Sequence, residues 1–337
     1  MAHGRLADLE CTLGSDPRSD PRMVKALAEF GLDGNFPEVP LTVDSPLEER
    51  LAFVAMNEDG VGAVLAAFGQ AVPDVEGVTT ATTTITGEDG NDVTLYISRP
   101  DRAGALPAVV HLHGGGMAIG SATDVGYMRG REYLAATGLV VVGVEFRNSG
   151  GKLGPHPYPA GLKDCAAGVR WVWANRSDLG VTHVIVSGES GGGNLTLTVA
   201  HQAKRQGWLD EIAGVYAQCP YISNRWHEAP DDLPSLRECD GYFINRQQLA
   251  VMGTIYDPTG ENARDATAFA GIATDEELVG LPPHVISVNE LDPLRDEGLV
   301  YYRRLVRDGG DLLFPGVMPE VFAASMRDVS GFAKSLG

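Results

Sequence analysis

The stretch Val184-Ile185-Val186-Ser187-Gly188-Glu189-Ser190-Gly191-Gly192 joins an apolar run to a serine flanked by glycines. The apolar run predicts a buried strand, and residues 194–206 have helical spacing. Ser190 therefore lies at a strand-to-helix turn, where a strained backbone exposes the serine oxygen above the sheet. Backbone N–H groups at a helix N-terminus favour negative charge that develops nearby. The stretch indicates a nucleophile, and a turn without catalytic function is the alternative that these residues leave open.

Further apolar runs alternate with helical segments, which is typical of a mostly parallel sheet with crossover helices. The predicted strands are 93–97, 108–112, 140–144, 183–187, 214–217 and 284–288. Two stretches lie outside this alternation, and we expect them to fold together as a helical cap. The predicted α/β organisation is an N-terminal cap segment 1–85, a first core part 86–221, a cap insertion 222–276 and a second core part 277–337.

Composition narrows the function classes. The chain has 337 residues and a net charge of −19, which argues against nucleic acid and anionic membrane surfaces as partners. Residues 1–8 do not resemble a secretory leader, and no apolar run is long enough to suggest a membrane span, so we expect a cytoplasmic protein. Its four cysteines are scattered without a C-x-x-C pair, so neither a metal site nor a redox motif is indicated.

A second motif, His111-Leu112-His113-Gly114-Gly115-Gly116-Met117, lies at the end of the predicted strand 108–112. Consecutive glycines give a backbone whose N–H groups can converge on one point, as an oxyanion hole requires. Three glycines in isolation more often form a flexible turn, but this motif precedes the serine by one strand-helix-strand unit. We expect His113 to shape the loop by hydrogen bonding rather than to act as a base.

A third motif, Asn289-Glu290-Leu291-Asp292-Pro293-Leu294-Arg295-Asp296-Glu297-Gly298, follows the predicted strand 284–288. Ligands and catalytic groups gather at the carboxyl ends of strands in open α/β sheets. Asp-Pro also starts turns, which is the alternative interpretation of Asp292. A serine followed in the chain by an acid, each at a strand end, is the order that α/β-hydrolases use.

With these motifs, the chain resembles the hormone-sensitive-lipase branch of the α/β-hydrolase fold, which includes many bacterial carboxylesterases. The resemblance covers about residues 85–300. It rests on H-G-G-G at 113–116, E-F-R-N-S-G-G-K-L-G-P-H-P-Y-P-A-G at 145–161, G-E-S-G-G-G-N-L at 188–195 and D-P-L-R-D-E-G at 292–298. It implies an α/β-hydrolase fold with a cap, a small-molecule ester as substrate, and no metal or cofactor; a homodimer is one arrangement of the subunits that it leaves open.

The resemblance also implies the site residues. Ser190 corresponds to the nucleophile and Asp292 to the acid that orients a histidine. The N–H groups of Gly115, Gly116 and Gly191 correspond to the oxyanion hole, with Gly191 in place of the usual alanine. Short-chain or compact carboxylic esters are the implied substrates. Five side chains are candidate pocket walls, with ordinary core packing as the alternative for each: Met117, Tyr127, Trp226, Phe243 and Met252.

The expected base is the departure from this family, because no histidine follows residue 284. The predicted helix 297–306 passes through Asp308 and Gly310 directly to residues 311–316 and a closing helix from residue 320. The family has a last strand and a histidine-bearing loop at this place. Their absence corresponds to about 10 to 15 residues, by ordinary strand and loop lengths.

Other histidines are poor substitutes. His183 and His284 begin their predicted strands, roughly 20 Å from the catalytic edge at about 3.3 Å per residue. His201 lies eleven residues beyond Ser190, about 16 Å along a helix axis. His156 and His227 could approach the mouth of the pocket, but a base must also stay within hydrogen-bond distance of the serine while a third group orients it.

Three interpretations follow, and we favour the first. In the first, the protein is a working carboxylesterase, and its sequence as read omits a segment between about Asp308 and Asp311. We favour it because real loss of an edge strand would expose an unpaired neighbouring strand. Alternatively, the deletion is real and the protein is a catalytically impaired hydrolase-fold protein that binds a ligand without turnover. The plant gibberellin receptor resembles this family and lacks its histidine. The third interpretation is an enzyme with a rearranged base.

Overall fold

The structure, a computed structural model, describes residues 3–70, 72–306 and 319–336. Its strands are β1 (Val78–Thr86), β2 (Asp92–Pro100), β3 (Leu106–Leu112), β4 (Val140–Glu145), β5 (Val181–Glu189), β6 (Gly214–Gln218) and β7 (His284–Ser287). Its α-helices are α1 (Pro21–Ala28), α2 (Leu47–Gln70), α3 (Val125–Ala136), α4 (Ala160–Ala174), α5 (Gly191–Gln206), α6 (Ser235–Glu238), α7 (Arg246–Tyr256), α8 (Asp275–Leu278), α9 (Arg295–Val306) and α10 (Pro319–Ser335).

The strands form one sheet in the order β1-β2-β4-β3-β5-β6-β7. Strands β3 to β7 are parallel to one another, while β2 is antiparallel to both β1 and β4. Each of the six predicted runs overlaps a strand, and the mostly parallel α/β fold is confirmed. Because parallel strands end at the same edge, the residues that follow β3, β5, β6 and β7 gather there.

The first strand was not predicted. Residues 78–85 were predicted as part of the N-terminal cap segment, but they form β1, which pairs with β2 from Val78 to Thr86. Six of the nine residues in β1 are threonine, and most of its side chains are exposed. An edge strand that is polar on both faces lacks the apolar alternation by which strands are recognised.

Helices cover both faces of the sheet. On one face, Val109 and Ile185 pack with Leu134 of α3 and Val329 of α10. On the other, Val110 and the remaining inward residues pack with helices α4, α5 and α9. Successive strand residues point to opposite faces, so burial on both faces explains the continuous apolar runs of β3, β4 and β5.

The two stretches outside the alternation contact each other above the carboxyl edge. Val54 of α2 packs with Val251, Met252 and Ile255 of α7 in one buried cluster. The N–H of Phe36 also donates to the carbonyl oxygen of Gly241 at 2.8 Å, beside an isolated β-bridge. The N-terminal stretch and the insertion are therefore packed together over the sheet.

Helix α2 is the one helix among the described residues that is long and apolar enough to cross a membrane, judged by length and composition over Leu47–Gly69. Only 11% of an apolar 18-residue window within it is buried. Two of its charged side chains are nevertheless buried and bonded to the rest of the fold. Arg50 donates to the carbonyl oxygen of Thr254 at 3.1 Å, and Glu58 accepts N–H groups of two loops. These contacts attach α2 to the cap and the core.

The last part of the sheet is only partly described. Among the described strands, β7 has β6 as its single neighbour. The predicted absence of a final strand and histidine loop concerns the chain around Asp308 to Asp311, and residues 307–318 lie outside the described residues.

Candidate active site

Ser190 occupies a strained turn between β5 and α5. Its backbone has φ 55° and ψ −117°, a left-handed φ that a non-glycine residue rarely adopts. The N–H of Ser190 donates to the carbonyl oxygen of Gln218 at 2.9 Å, and its own carbonyl oxygen accepts the N–H groups of Asn194 and Tyr221 at 3.0 and 3.1 Å. Partners on three segments hold the serine in this conformation at the N-terminus of α5.

Close backbone packing explains the glycines on either side of the serine. A Cβ atom at Gly192 would lie 2.0 Å from the carbonyl oxygen of Leu112, and one at Gly188 would lie 2.4 Å from the same atom. No side chain fits at these separations. The end of β3 therefore rests directly on the turn that carries Ser190, and the loop after β3 begins beside it.

That loop, residues 113–120, is named the oxyanion loop after its predicted role. Gly115, Gly116 and Met117 have φ values of 103°, 61° and 58°. Successive residues in such conformations turn their N–H groups toward one side of the chain, which creates a concave site for negative charge. Among the described residues, no acceptor receives the N–H groups of Gly115, Gly116 or Met117. The loop therefore presents unpaired donors.

Gly191 brings these donors close to Ser190. A Cβ atom at Gly191 would lie 2.5 Å from the nitrogen of Met117 and 2.6 Å from that of Gly116. The N–H of Gly191 also lacks an acceptor in the described part of the chain, as expected for the first residue of a helix. Donors from two segments thus converge beside Ser190.

Asp292 lies in the loop after β7. Its Oδ1 accepts the N–H of Leu294 at 2.8 Å, and its Oδ2 accepts Nδ2 of Asn289 at 3.3 Å. Burial raises the pKa of the Asp292 carboxyl, and the two donors oppose that shift. The sheet order places the end of β6 between the strands that lead to Ser190 and Asp292, and Cys219 follows β6 there. Burial raises the pKa of the Cys219 thiol, and the nearby Asp292 carboxylate adds to the shift.

All eight histidines of the chain lie in the described residues, and none makes a hydrogen bond with Ser190 or Asp292. His201 is buried and bonds to the hydroxyl of Tyr301 at 3.0 Å, and His284 is buried at the start of β7. His156 and His227 are exposed. The described geometry supplies a serine, an acid and backbone donors, without a histidine between the serine and the acid.

A family model described as alpha/beta hydrolase fold matches residues 109–316. The chain belongs to this family. Brefeldin A esterase, described as a bacterial homologue of human hormone-sensitive lipase, has a TM-score of 0.94 and 43% sequence identity, and the match covers 100% of this chain and 99% of that chain. The predicted resemblance to the hormone-sensitive-lipase branch is therefore confirmed.

Two further relatives carry esterase names. Esterase Est22, in its structure with p-nitrophenol, has a TM-score of 0.83 and 35% identity over 96% of this chain and 99% of that chain. Carboxylesterase NlhH of Mycobacterium tuberculosis is 32% identical over 210 residues, which are 60% of this chain and 62% of that protein. The match with this curated relative thus spans less than two thirds of its length.

In this α/β-hydrolase, two of the five predicted pocket residues lie at the oxyanion loop. Met117 belongs to the loop and is 2% exposed. Met252 of α7 approaches from the cap, and its Cε would lie 2.5 Å from a Cβ atom at Gly116. The thioether of Met252 therefore rests on the glycine backbone that carries the unpaired donors.

The other predicted pocket residues lie in different surroundings. Trp226 is 1% exposed, stacks on Tyr221 with ring centroids 3.8 Å apart, and donates from Nε1 to Oε2 of Glu297 at 3.0 Å. Phe243 is 45% exposed, and its ring lies 6.1 Å from that of Phe36. Trp226 thus packs in the base of the cap, and Phe243 lies at the junction with the N-terminal stretch.

Tyr127, the fifth predicted pocket residue, contacts the start of the loop, near His113. A Cβ atom at Gly114 would lie 3.0 Å from the hydroxyl oxygen of Tyr127. Nδ1 of His113 bonds to the carbonyl oxygen of Gly114 at 2.8 Å, and its ring stacks on Phe146 at 4.1 Å. Burial lowers the pKa of His113 to about 4, so the imidazole is neutral at pH 7. His113 contacts the loop in the way expected of a shaping residue.

Several residues that hold the site were not predicted from the sequence. Glu58 of α2 accepts the N–H of Gly120 at 3.0 Å, and Ser149 donates to the loop from the segment after β4. Asn289 could have been noticed as an amide three residues before the acid, whereas the contact of Glu58 depends on tertiary packing. In the described residues, no three His, Cys, Asp or Glu side chains are arranged to hold a metal ion.

Proposed function

We propose that this chain is a serine carboxylesterase that hydrolyses short-chain or compact carboxylic esters through an acyl-serine intermediate. The observation that carries the proposal is the convergence of unpaired N–H groups from Gly116 and Gly191 beside a strained Ser190. Oriented donors with no acceptor suit negative charge that appears only during a reaction. The names of brefeldin A esterase, Est22 and carboxylesterase NlhH support the same chemistry.

In the proposed mechanism, Oγ of Ser190 attacks the ester carbonyl carbon while a histidine, oriented by Asp292, takes the serine proton. The carbonyl π electrons move to oxygen, and the N–H groups of Gly115, Gly116 and Gly191 bind that oxyanion. The carbon–oxygen bond to the alcohol then breaks, and the alcohol leaves with the proton from the histidine. Water repeats the sequence on the acyl-serine and releases the acid. Each oxyanion donor contributes about 3 kcal/mol in comparable sites.

The histidine in this scheme comes from the proposed segment between about Asp308 and Asp311, which the sequence as read omits. The position of β7 supports this, because in the described residues it has only β6 as a neighbour. An additional strand would cover that edge and lead toward Asp292. Folded proteins normally cover or pair such an edge.

The contact of Met252 with the Gly116 backbone supports the preference for compact esters, because a thioether at this place restricts the acyl group that can lie beside the loop. We further propose contributions to the pocket from Tyr127, Trp226 and Phe243, cytoplasmic location, and a small-molecule ester as the partner. The net charge of −19 supports a partner other than nucleic acid.

One observation favours a second candidate function, ligand binding without turnover. No histidine bonds to Ser190 or Asp292 in the described part of the chain, and Oδ2 of Asp292 accepts the Asn289 amide instead. Among the described residues, this carboxylate therefore has an amide partner and no imidazole to orient. In this alternative, the pocket binds a compact ester-like molecule and Ser190 remains unacylated.

Hydrolysis of p-nitrophenyl acetate tests the proposed enzyme. The expected result is turnover that falls on the order of 1,000-fold or more in Ser190→Ala. Ser177→Ala is the matched control, because Ser177 is exposed and lies between α4 and β5, and it should leave the rate unchanged. Equal rates in wild type and Ser190→Ala would exclude the serine mechanism. Calorimetric binding of the ester without release of p-nitrophenol would favour the second candidate.

A further inference from the structure

Met117 is the strained residue of the oxyanion loop. Gly115 and Gly116 adopt their left-handed conformations without steric cost, but Met117 has a side chain and a φ of 58°. A residue in this conformation persists only when its surroundings hold it there. The contacts of Met117 therefore determine whether the neighbouring N–H groups stay aimed at Ser190.

Ser149 makes two contacts of this kind. Its N–H donates to the carbonyl oxygen of Met117 at 2.9 Å, and its hydroxyl donates to the same oxygen at 3.0 Å. Ser149 is 1% exposed, so water does not compete for these bonds. The peptide group between Met117 and Ala118 is thereby held by two donors from one residue.

Neighbours of Ser149 extend the contact along the loop. The N–H of Gly150 donates to the carbonyl oxygen of Ala118 at 3.1 Å, and Nδ2 of Asn148 donates to that of Gly120 at 2.7 Å. Residues 148–150 thus run beside residues 117–120 and bond to three of their carbonyl groups. Asn194 contacts the thioether of Met117, whereas in the described part of the chain the Ser149 hydroxyl is the side-chain donor to the Met117 backbone, and substitution can remove it.

We infer that Ser149 is a positioning residue for the oxyanion hole: its hydroxyl holds Met117 in the left-handed conformation and so aims the loop N–H groups at the nucleophile. This inference rests on the proposed function of the site. The hydroxyl acts through Met117 and does not touch the substrate. Its removal should loosen the loop and weaken binding of a tetrahedral anion more than it affects the fold.

The first readout is amide hydrogen exchange, which does not depend on catalysis. The N–H groups of Ala118 and Ile119 both donate to the carbonyl oxygen of Gly115 at 3.0 Å, so their protection reports whether the loop is formed. In Ser149→Ala they should exchange about fivefold faster or more, the factor that corresponds to one lost buried hydrogen bond. Ser149→Cys keeps the volume with a weak donor and should behave in the same way.

Thr198→Val is the matched control. Thr198 is fully buried in α5 and its hydroxyl donates to the carbonyl oxygen of Leu195 at 3.2 Å, away from the loop. It should lower the melting temperature about as much as Ser149→Ala and leave the exchange of Ala118 and Ile119 unchanged. Unchanged exchange in both Ser149 variants would overturn the inference, whatever the function of the site.

The second readout is binding of butylboronic acid, measured by calorimetry. Oγ of Ser190 donates an electron pair to boron, the serine proton passes to buffer, and a tetrahedral anion forms with no bond to boron broken. Ser149→Ala should bind it about fivefold more weakly or worse, and Thr198→Val as tightly as wild type. Faster exchange with unchanged boronate affinity would overturn the role at the oxyanion hole. Equal binding by wild type and Ser190→Ala would instead refute the proposed function, while faster exchange would still support the positioning of the loop.

Discussion

Nδ2 of Asn289 lies 3.3 Å from Oδ2 of Asp292, so the carboxylate of the proposed acid is bonded to an amide from its own loop. This donor lowers the pKa of Asp292, whereas burial raises it. In Asn289→Ala the opposing donor is lost, and the pKa of Asp292 should rise further. A carbon-13 NMR titration of the Asp292 carboxyl measures the shift. The exposed neighbour Glu290→Gln is the control, and equal titration curves for Asn289→Ala and wild type would contradict the assignment of the amide as a stabilising donor.

The omitted segment makes a prediction about mass. The intact protein should exceed 35.8 kDa by more than about 1 kDa, because a strand and a loop need about 10 to 15 residues. Mass spectrometry of the purified protein measures it directly. Agreement with 35.8 kDa would refute the segment and favour ligand binding without turnover.

Gly191→Ala should displace the oxyanion loop. Alanine is usual at this position in the family that the chain resembles, but in this chain the new Cβ would lie 2.5 Å from the nitrogen of Met117, so the backbone would have to move. We expect ester hydrolysis to fall on the order of 10-fold to 100-fold, mostly in kcat, because the oxyanion donors act in the transition state.

The same substitution at Gly62 is the control. Gly62 lies in α2. Apart from the backbone of its own helix turn and its two chain neighbours, no described atom lies within 4 Å of the position that its Cβ would take. Gly62→Ala should therefore leave the rate unchanged and stabilise the fold by about 0.4 to 1 kcal/mol. An unaffected rate in Gly191→Ala would show that the loop does not pack as closely as described.

Met252→Ala should widen acyl-chain preference. Removing the thioether that rests on Gly116 opens space beside the oxyanion loop, so the rate ratio of p-nitrophenyl hexanoate to acetate should rise severalfold. Met128→Ala is the control, because Met128 is 38% exposed on α3. A ratio that does not change in Met252→Ala would remove Met252 from the pocket.

Glu297 makes stability depend on pH. It is 4% exposed, accepts the N–H of Ile222 at 2.7 Å and Nε1 of Trp226 at 3.0 Å, and burial raises its pKa to about 8. With the folded pKa above the unfolded value of 4.5, the folded state retains the proton longer. The stabilisation that Glu297 gives the folded state is therefore fully present below about pH 4.5. It is lost as pH rises toward 8, by at most about 1.4 kcal/mol per pH unit.

Glu297→Gln should remove that slope, because glutamine does not titrate; its Oε1 replaces one acceptor oxygen and its Nε2 cannot accept the second N–H, so the lost hydrogen bond lowers stability equally at both pH values. Urea unfolding at pH 5 and pH 8 measures the difference between wild type and variant. The exposed Glu228→Gln should retain the wild-type slope. If the wild-type free energy of unfolding falls no more between pH 5 and pH 8 than that of Glu297→Gln, a neutral Glu297 in the folded protein would be contradicted.

Much of the fold was predictable because buried parallel strands leave continuous apolar runs, as in β3, β4 and β5. The turn at Ser190 was predictable for a different reason: only glycine tolerates the approach of Leu112 to residues 188 and 192. Strand β1 was missed because its exposed threonines carry no alternation. The contacts of Ser149 and Glu58 were missed because they join segments far apart in the chain, and local spacing carries no information about such pairs.

Glu58 bridges the N–H groups of Gly120 and Lys152, so a carboxylate from the N-terminal stretch joins the oxyanion loop to the segment that supports it. A fragment that began at β1 would keep every strand of the described sheet and the Ser190 turn, yet it would lose this brace. Through α2, the N-terminal stretch therefore supports the loop beside Ser190. Substitutions on α2, far from Ser190 in sequence, should therefore alter the proposed site without changing any of its proposed substrate-contacting residues.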